Sequence, residues 1–338
     1  MAPVFDKPFL RYDQLIRLMR SRNLVINDEQ FAKSVLSNMS YYTIINGYKD
    51  SALSVPGSDL FIPGTQFEEL YTLHIIDVSI SHLVLKHILY IERSLKSKMS
   101  YLISRKYGVF TDVNDMRNAN PADYLCKQYY SNSNGSRNNT LRAIKTTMDV
   151  SNPHVYHSKG LEHYLIHHNH VPAWILTTSL SFGQTLRWYR IFRADDKTNI
   201  CNSFLQNAPA SMTDQDKKEF LIKALDLLKE FRNMVAHEAR TFRSTGQAAI
   251  PKQQVIDLSS GIISAADYNS NVYAQTGLYA VIAAIMILMN DPYLKSSFVL
   301  ELENILGPYH GITINGSTIC SLFNLPDDIT VRIKKAVI

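Results

Sequence analysis

The sequence predicts an all-α fold, a helical bundle with long core helices and a polar insertion, and three observations carry the prediction. Apolar residues keep helical spacing across residues 65–107 and again across residues 213–242. The period-two alternation that a half-buried strand requires is missing, apart from residues 312–314 and a few short apolar runs near the end.

Residues 8–22 open with Pro8, suited to a first helical turn, and place Leu10, Leu15, Leu18 and Met19 for a short amphipathic helix. A second helix is expected over residues 28–39. Pro63 and Gly64 then mark a turn, and Thr65 with Glu68 forms a capping-box pattern. From there Leu70, Leu73, Ile76, Ile80, Leu83, Leu85, Ile88, Leu95, Met99 and Leu102 hold their spacing to Tyr107, where Gly108 offers a left-handed stop. At about 40 residues and ~1.5 Å rise per residue, this helix is the expected backbone of the fold. Residues 109–160 change character: residues 131–136, Asn138 and Asn139 are polar and turn-prone, which predicts a mobile surface insertion. Periodicity resumes at Val171 and runs to Phe192, and a polar connector follows through Pro209. Thr213 then caps a helix whose first turn holds Asp214 and Asp216, acidic side chains that favour the positive end of the helix dipole. Its apolar stripe comprises Phe220, Leu221, Ala224, Leu225, Leu228, Phe231, Val235, Ala239 and Phe242. Residues 277–289 are densely apolar, yet shorter than the ~20 residues that span a bilayer, and predict a buried core helix. The organisation expected is an N-terminal helical segment (1–64), a core (65–290) with its insertion at about 109–160, and a tail (291–338) packing on the core, together one compact unit.

With 338 residues and 46% hydrophobic content the chain can bury a full core. A formal charge of +5, from 35 basic against 30 acidic residues, permits an anionic partner such as RNA without demanding one. Cys126, Cys201 and Cys320 lie far apart, which suits a reducing cytosol and core packing rather than a disulfide frame or thiolate zinc site. Charged residues interrupt the N-terminus where an export signal needs an apolar run, so a cytoplasmic protein without membrane attachment is expected. No Walker-type loop, Gly-x-Ser-x-Gly elbow or dinucleotide fingerprint is present, and no cofactor is expected.

The run from Glu230 to Arg240 carries the chemistry. Arg232, Asn233 and His237 fall within two helical turns, with Asn233 and His237 four apart on one face and Arg232 about 140° round from His237 at ~100° per residue. Spacing alone is weak, because 16 Arg and 11 His make about 1.6 such matches expected by chance. The set nevertheless suits RNA transesterification, in which histidine moves protons near neutral pH and arginine neutralises charge on the nonbridging phosphate oxygens without a metal. Arg240, three beyond His237, would add a second cation. One histidine cannot easily act as base and acid together, so catalysis predicts a homodimer or a higher even-numbered assembly in which two chains complete the site. The bland alternative is that both arginines are solvated and His237 packs at a helix end.

Five ordered stretches raise the value of this run. They are residues 36–42 (LSNMSYY) with Gly47 and Tyr48, residues 61–71 (FIPGTQFEELY), residues 91–96 (IERSLK), residues 171–174 (VPAW) with residues 181–183 (SFG), and residues 232–237 (RNMVAH). Over most of its length the chain therefore resembles the bacterial abortive-infection (Abi) proteins of the AbiD/AbiF type, members of the all-α HEPN superfamily. The resemblance implies a HEPN-like helical core and a metal-independent endoribonuclease with Arg232, Asn233 and His237 as its catalytic set. It also implies phage defence, RNA as substrate, and a small structured RNA as a possible regulator. It favours Glu92 and Arg93 as an ion pair that positions Arg232 or His237. A non-catalytic scaffold holding a structured RNA, and a nucleotide-binding interaction module, are the competing functions.

Two further constellations are ambiguous. Arg187, Arg190 and Arg193 interleave with Trp188, Tyr189, Ile191 and Phe192, which could set cations on phosphates and rings on unstacked bases, although on a helix the rings can face the core. His154, His157, His163, His167, His168 and His170 crowd together without the spacing of a zinc motif, so a polar or RNA-contacting surface is expected and no metal.

Overall fold

The structure, a computed structural model, describes residues 7–111, 123–132, 135–149, 152, 154–237 and 240–337. Its helices in chain order are α1 (Tyr12–Ser21), α2 (Glu29–Asn38), α3 (Phe67–Tyr107), α4 (Arg137–Thr146), α5 (Lys159–His167), α6 (Ala173–Leu176), α7 (Phe182–Arg190), α8 (Ala194–Phe204) and α9 (Asp214–Ala236). They continue as α10 (Lys252–Leu258), α11 (Ala265–Ser270), α12 (Tyr273–Thr276), α13 (Leu278–Leu288), α14 (Pro292–Leu306), α15 (Ile319–Leu322) and α16 (Ile329–Lys335). The fold is all-α, as the periodicity predicts.

The 41-residue α3 is the central element, packed against α6, α8, α9, α13 and α14. Leu70, Leu73, Ile76, Ile80, Ile88, Leu95 and Met99 are all buried on it. It ends where expected, with Gly108 as its cap at φ 78°, a backbone conformation that a residue with a side chain adopts only at a cost. Its start lies one residue later than the capping pattern predicts. Gln66 is the cap and its N–H donates to Glu69 Oε2 at 2.8 Å, whereas the Thr65 hydroxyl donates to the Ile62 carbonyl. The cause is long-range: Val25 N–H donates to the Thr65 carbonyl and the Val25 carbonyl accepts from Phe67 N–H, both at 2.9 Å, which holds Gln66 extended.

The first helix likewise begins later than Pro8, at Tyr12, with Arg11 N–H donating to Gln14 Oε1 at 2.8 Å. The expectation of a loose polar insertion needs correction in its described part. Tyr124, Tyr130, Leu141, Ile144 and Met148 are buried, α4 packs on α7, and Phe110 bridges to Val171. Residues 112–122, Ser133 and Asn134 lie outside the described residues.

Every residue from Leu278 to Met286 on α13 is buried, which is why its apolar run has no polar face. Among the described residues α3 alone is long and apolar enough to cross a membrane, and 56% of its most apolar window is buried inside the protein. Beyond α13, the tail docks on α3 through the His87 ring edge-on to Phe298 at 4.9 Å and through a Lys86–Glu301 ion pair of 2.6 Å. A two-stranded hairpin, β1 (Thr313–Ile314) and β2 (Ser317–Thr318), turns at Asn315 and Gly316, whose φ values of 49° and 79° are the left-handed pair that Asn-Gly favours.

Candidate functional site

α9 carries the motif to the surface. Thr213 and Asp216 cap its start reciprocally, and Phe220, Leu221, Ala224, Leu225, Leu228 and Phe231 bury one stripe against α3, α8 and α13. The helix ends at Ala236, not at residue 242, so the expected continuation of the stripe through Phe242 is corrected; Glu238 and Ala239 lie outside the described residues.

The termination has a definite physical cause in Asp77, buried on α3. Its Oδ1 accepts from Thr241 N–H at 3.1 Å, the Thr241 hydroxyl at 2.6 Å and Phe242 N–H at 3.0 Å, while Oδ2 accepts from the Tyr48 hydroxyl at 2.8 Å. Thr241 and Phe242 are thereby held against α3. Arg240 does not stand on the His237 face. It spans the Asp77 cluster, donating to the Asn46 carbonyl at 3.4 Å and lying 5.8 Å above the Tyr48 ring, in the space that a side chain at Gly47 would need. Burial first, and the Asp77 carboxylate second, push the Tyr48 phenol far above its ordinary range. Burial also pulls His74, 3.3 Å from that phenol, below the usual imidazole value.

Arg232, Asn233 and His237 occupy the last turn and cap of α9. Asn233 and His237 are exposed, and His237 N–H closes the helix by donating to the Asn233 and Met234 carbonyls at 3.2 Å. Arg232 is half-buried; its Nη1 donates to Asn233 Oδ1 at 3.2 Å. Glu230, one residue before the core Phe231, is structural, since its Oε2 accepts from Gln247 N–H at 2.7 Å.

Arg232 opens into a cleft of about 720 Å³ walled by α3, α4, α7, α9 and residues 154–156. On the α3 wall Lys96 pairs with Glu92 Oε1 at 2.7 Å and donates to the Leu180 carbonyl at 2.6 Å. Glu92 is buried and its Oε2 has no partner. Glu92 lines the same cleft as Arg232, and its ion pair is with Lys96 rather than with Arg93. Arg93, about 100° round the helix, is exposed, with its guanidinium 6.0 Å from the Tyr90 ring. Lys96 and Tyr156 are cleft residues that sequence reasoning missed, with only the i, i+4 spacing of Glu92 and Lys96 as a signal, whereas His154 was singled out within the histidine-rich surface but not with Arg232.

The aromatic-basic segment is divided. Trp188, Tyr189 and Phe192 are buried beside Ile191, so their rings cannot stack bases. Arg190 grips both oxygens of Asp226 on α9, Arg193 donates to the Gln128 carbonyl, and Arg187 is exposed. The histidines gather on the surface, with His163 lying 4.8 Å from His167 and 5.3 Å from His168 ring to ring, and among the described residues no three potential ligands converge as a metal site. Cys201 is buried, bonded to Tyr189 at 3.2 Å, and burial raises its thiol pKa.

Residues 34–243, more than half of the chain, match the family described as Abi-like protein. Neither the curated proteins nor the solved structures gave a significant match. The chain belongs to the Abi-like family, an abortive-infection family, and the matched region spans α3, the cleft, the motif on α9 and the Asp77 cluster.

Proposed function

We propose that this Abi-like protein acts in abortive-infection phage defence as a metal-independent endoribonuclease of HEPN type. The observation that carries the proposal is the position of Arg232, which opens into a large cleft while Asn233 holds its guanidinium and His237 stands exposed one turn on.

In the reaction, a base removes the proton of a ribose 2′-hydroxyl, the freed oxygen attacks the adjacent phosphorus, and the bond from phosphorus to the 5′-oxygen breaks as that oxygen takes a proton. The products are a 2′,3′-cyclic phosphate and a 5′-hydroxyl. Arg232 stabilises the charge on the nonbridging oxygens through its fork of N–H donors, Asn233 orients that fork, and His237 serves as base or acid. A second chain paired across the ends of two α9 helices brings a second Arg232 and His237, which supplies the other proton-transfer group and makes the working unit a homodimer.

Cleavage of end-labelled RNA in excess EDTA tests this. Wild type should yield 5′-hydroxyl products, and Arg232→Ala and His237→Ala should each lower the rate by about 10²–10⁴-fold. Unchanged products from either variant would overturn the site, and RNA that is bound but never cut would overturn the activity.

A further inference from the structure

Three features of the cleft beside Arg232 go beyond the motif. Tyr156 stands on its wall with 73% of its surface exposed, an aromatic face turned to solvent rather than to the core. Glu92 is 6% exposed and keeps one carboxylate oxygen without a donor. Charge in the cleft is uneven: Lys96 and Glu92 neutralise each other at 2.7 Å, which leaves the Arg232 guanidinium as the uncompensated cation, with His154 also on the lining. The volume of about 720 Å³ lies within the roughly 300–1,000 Å³ of clefts that enclose small ligands.

The ligand that answers these features has one anionic group and one flat π-face. From this geometry we infer that the cleft of a single chain binds one unpaired nucleotide of RNA, its phosphate at Arg232 and its base on Tyr156. The inference rests on the reading of RNA as substrate and adds which form of RNA is taken. A base inside a duplex offers no free face, so the cleft selects single strands, loops or bulges. Stacking on Tyr156 tolerates any base, because every base has a π-face. The buried Glu92 carboxylate fixes Lys96 on the α3 wall at 2.7 Å and takes no part in holding the nucleotide. Apart from Arg232, Glu92 and Lys96, the titratable groups on the lining are His154 and Tyr156.

Fluorescence anisotropy with a labelled unstructured 2′-O-methyl RNA, which the proposed reaction cannot cut, and the same sequence as a duplex tests the inference on the full chain. Wild type should prefer the single strand. Tyr156→Ala should weaken single-strand binding about 5- to 100-fold and Tyr156→Phe should restore it, with duplex binding unmoved. Because Tyr156 is largely exposed, both variants should keep the wild-type melting temperature. Arg232→Ala should weaken binding and flatten its salt dependence. Equal single-strand affinity in wild type and Tyr156→Ala, alongside loss of cleavage in Arg232→Ala, would refute the base site and leave the nuclease reading standing. Absence of both binding and cleavage in wild type would refute the RNA reading and this inference with it.

Discussion

Asp77→Ala should loosen the chain immediately after the motif, and its cost can be worked from the geometry. One oxygen of Asp77 holds three donors from Thr241 and Phe242, at 3.1, 2.6 and 3.0 Å, with the Ser81 hydroxyl at 3.5 Å, and the other holds Tyr48 at 2.8 Å. Thr241 and Tyr48 are fully buried, so water cannot easily take over. A hydrogen bond to a charged group contributes about 1.5–3 kcal/mol, and a buried donor left unpaired costs about 1–3 kcal/mol. Relief of the buried carboxylate and local relaxation offset part of that sum, which leaves an expected loss of about 3–5 kcal/mol. Against a typical total of about 5–15 kcal/mol this is a large fraction. Asp77→Asn retains a carbonyl oxygen for the Thr241 and Phe242 N–H groups and should cost about 1–2 kcal/mol. Urea denaturation measures both losses, and amide hydrogen exchange locates them: Thr241 and Phe242 should exchange faster in the variants while α3 stays protected. Two variants within about 0.5 kcal/mol of wild type, with unchanged exchange at those amides, would show that Asp77 does not hold the segment.

Two further outcomes follow from the packing around the site. Burial holds His74 and His87 below the ordinary imidazole value of about 6.5, so as pH falls the unfolded chain takes up protons before the folded one. Stability should therefore be full above about 6.5 and decline between there and the lower folded-state values; a urea midpoint that is the same at pH 7.5 and pH 5.5 would refute this. Carboxylates held low, such as Glu301 beside Lys86, lose their contribution only at more acid pH, outside that window. Arg190→Ala removes the grip on Asp226 between α7 and α9 and should cost about 1 kcal/mol with RNA affinity unchanged, since that side chain is only half-buried. Weaker RNA binding at unchanged stability would instead assign Arg190 to the nucleic-acid surface.

What was legible in the sequence is what neighbours along the chain decide. The stripe of α3, its glycine stop at Gly108, the cap at Thr213 and the apolar run of α13 are all local signals, and each falls where local chemistry puts it. The failures share the opposite cause. Thr65 is a residue type suited to a cap, but its carbonyl is taken by Val25, 40 residues upstream, and the stripe of α9 continues in sequence to Phe242 although Asp77 captures that residue's N–H from another helix. The one trace of that capture is a carboxylate among the buried residues Leu73, Ile76 and Ile80, a position where a charge persists only if something distant satisfies it. The candidate site divides in the same way. Arg232, Asn233 and His237 are local and were found together, whereas Lys96, His154 and Tyr156 meet Arg232 only because α3, α7 and the chain after α4 converge there. A cleft built from separate segments has no sequence period, so only the shape of the molecule could join its aromatic wall to its arginine.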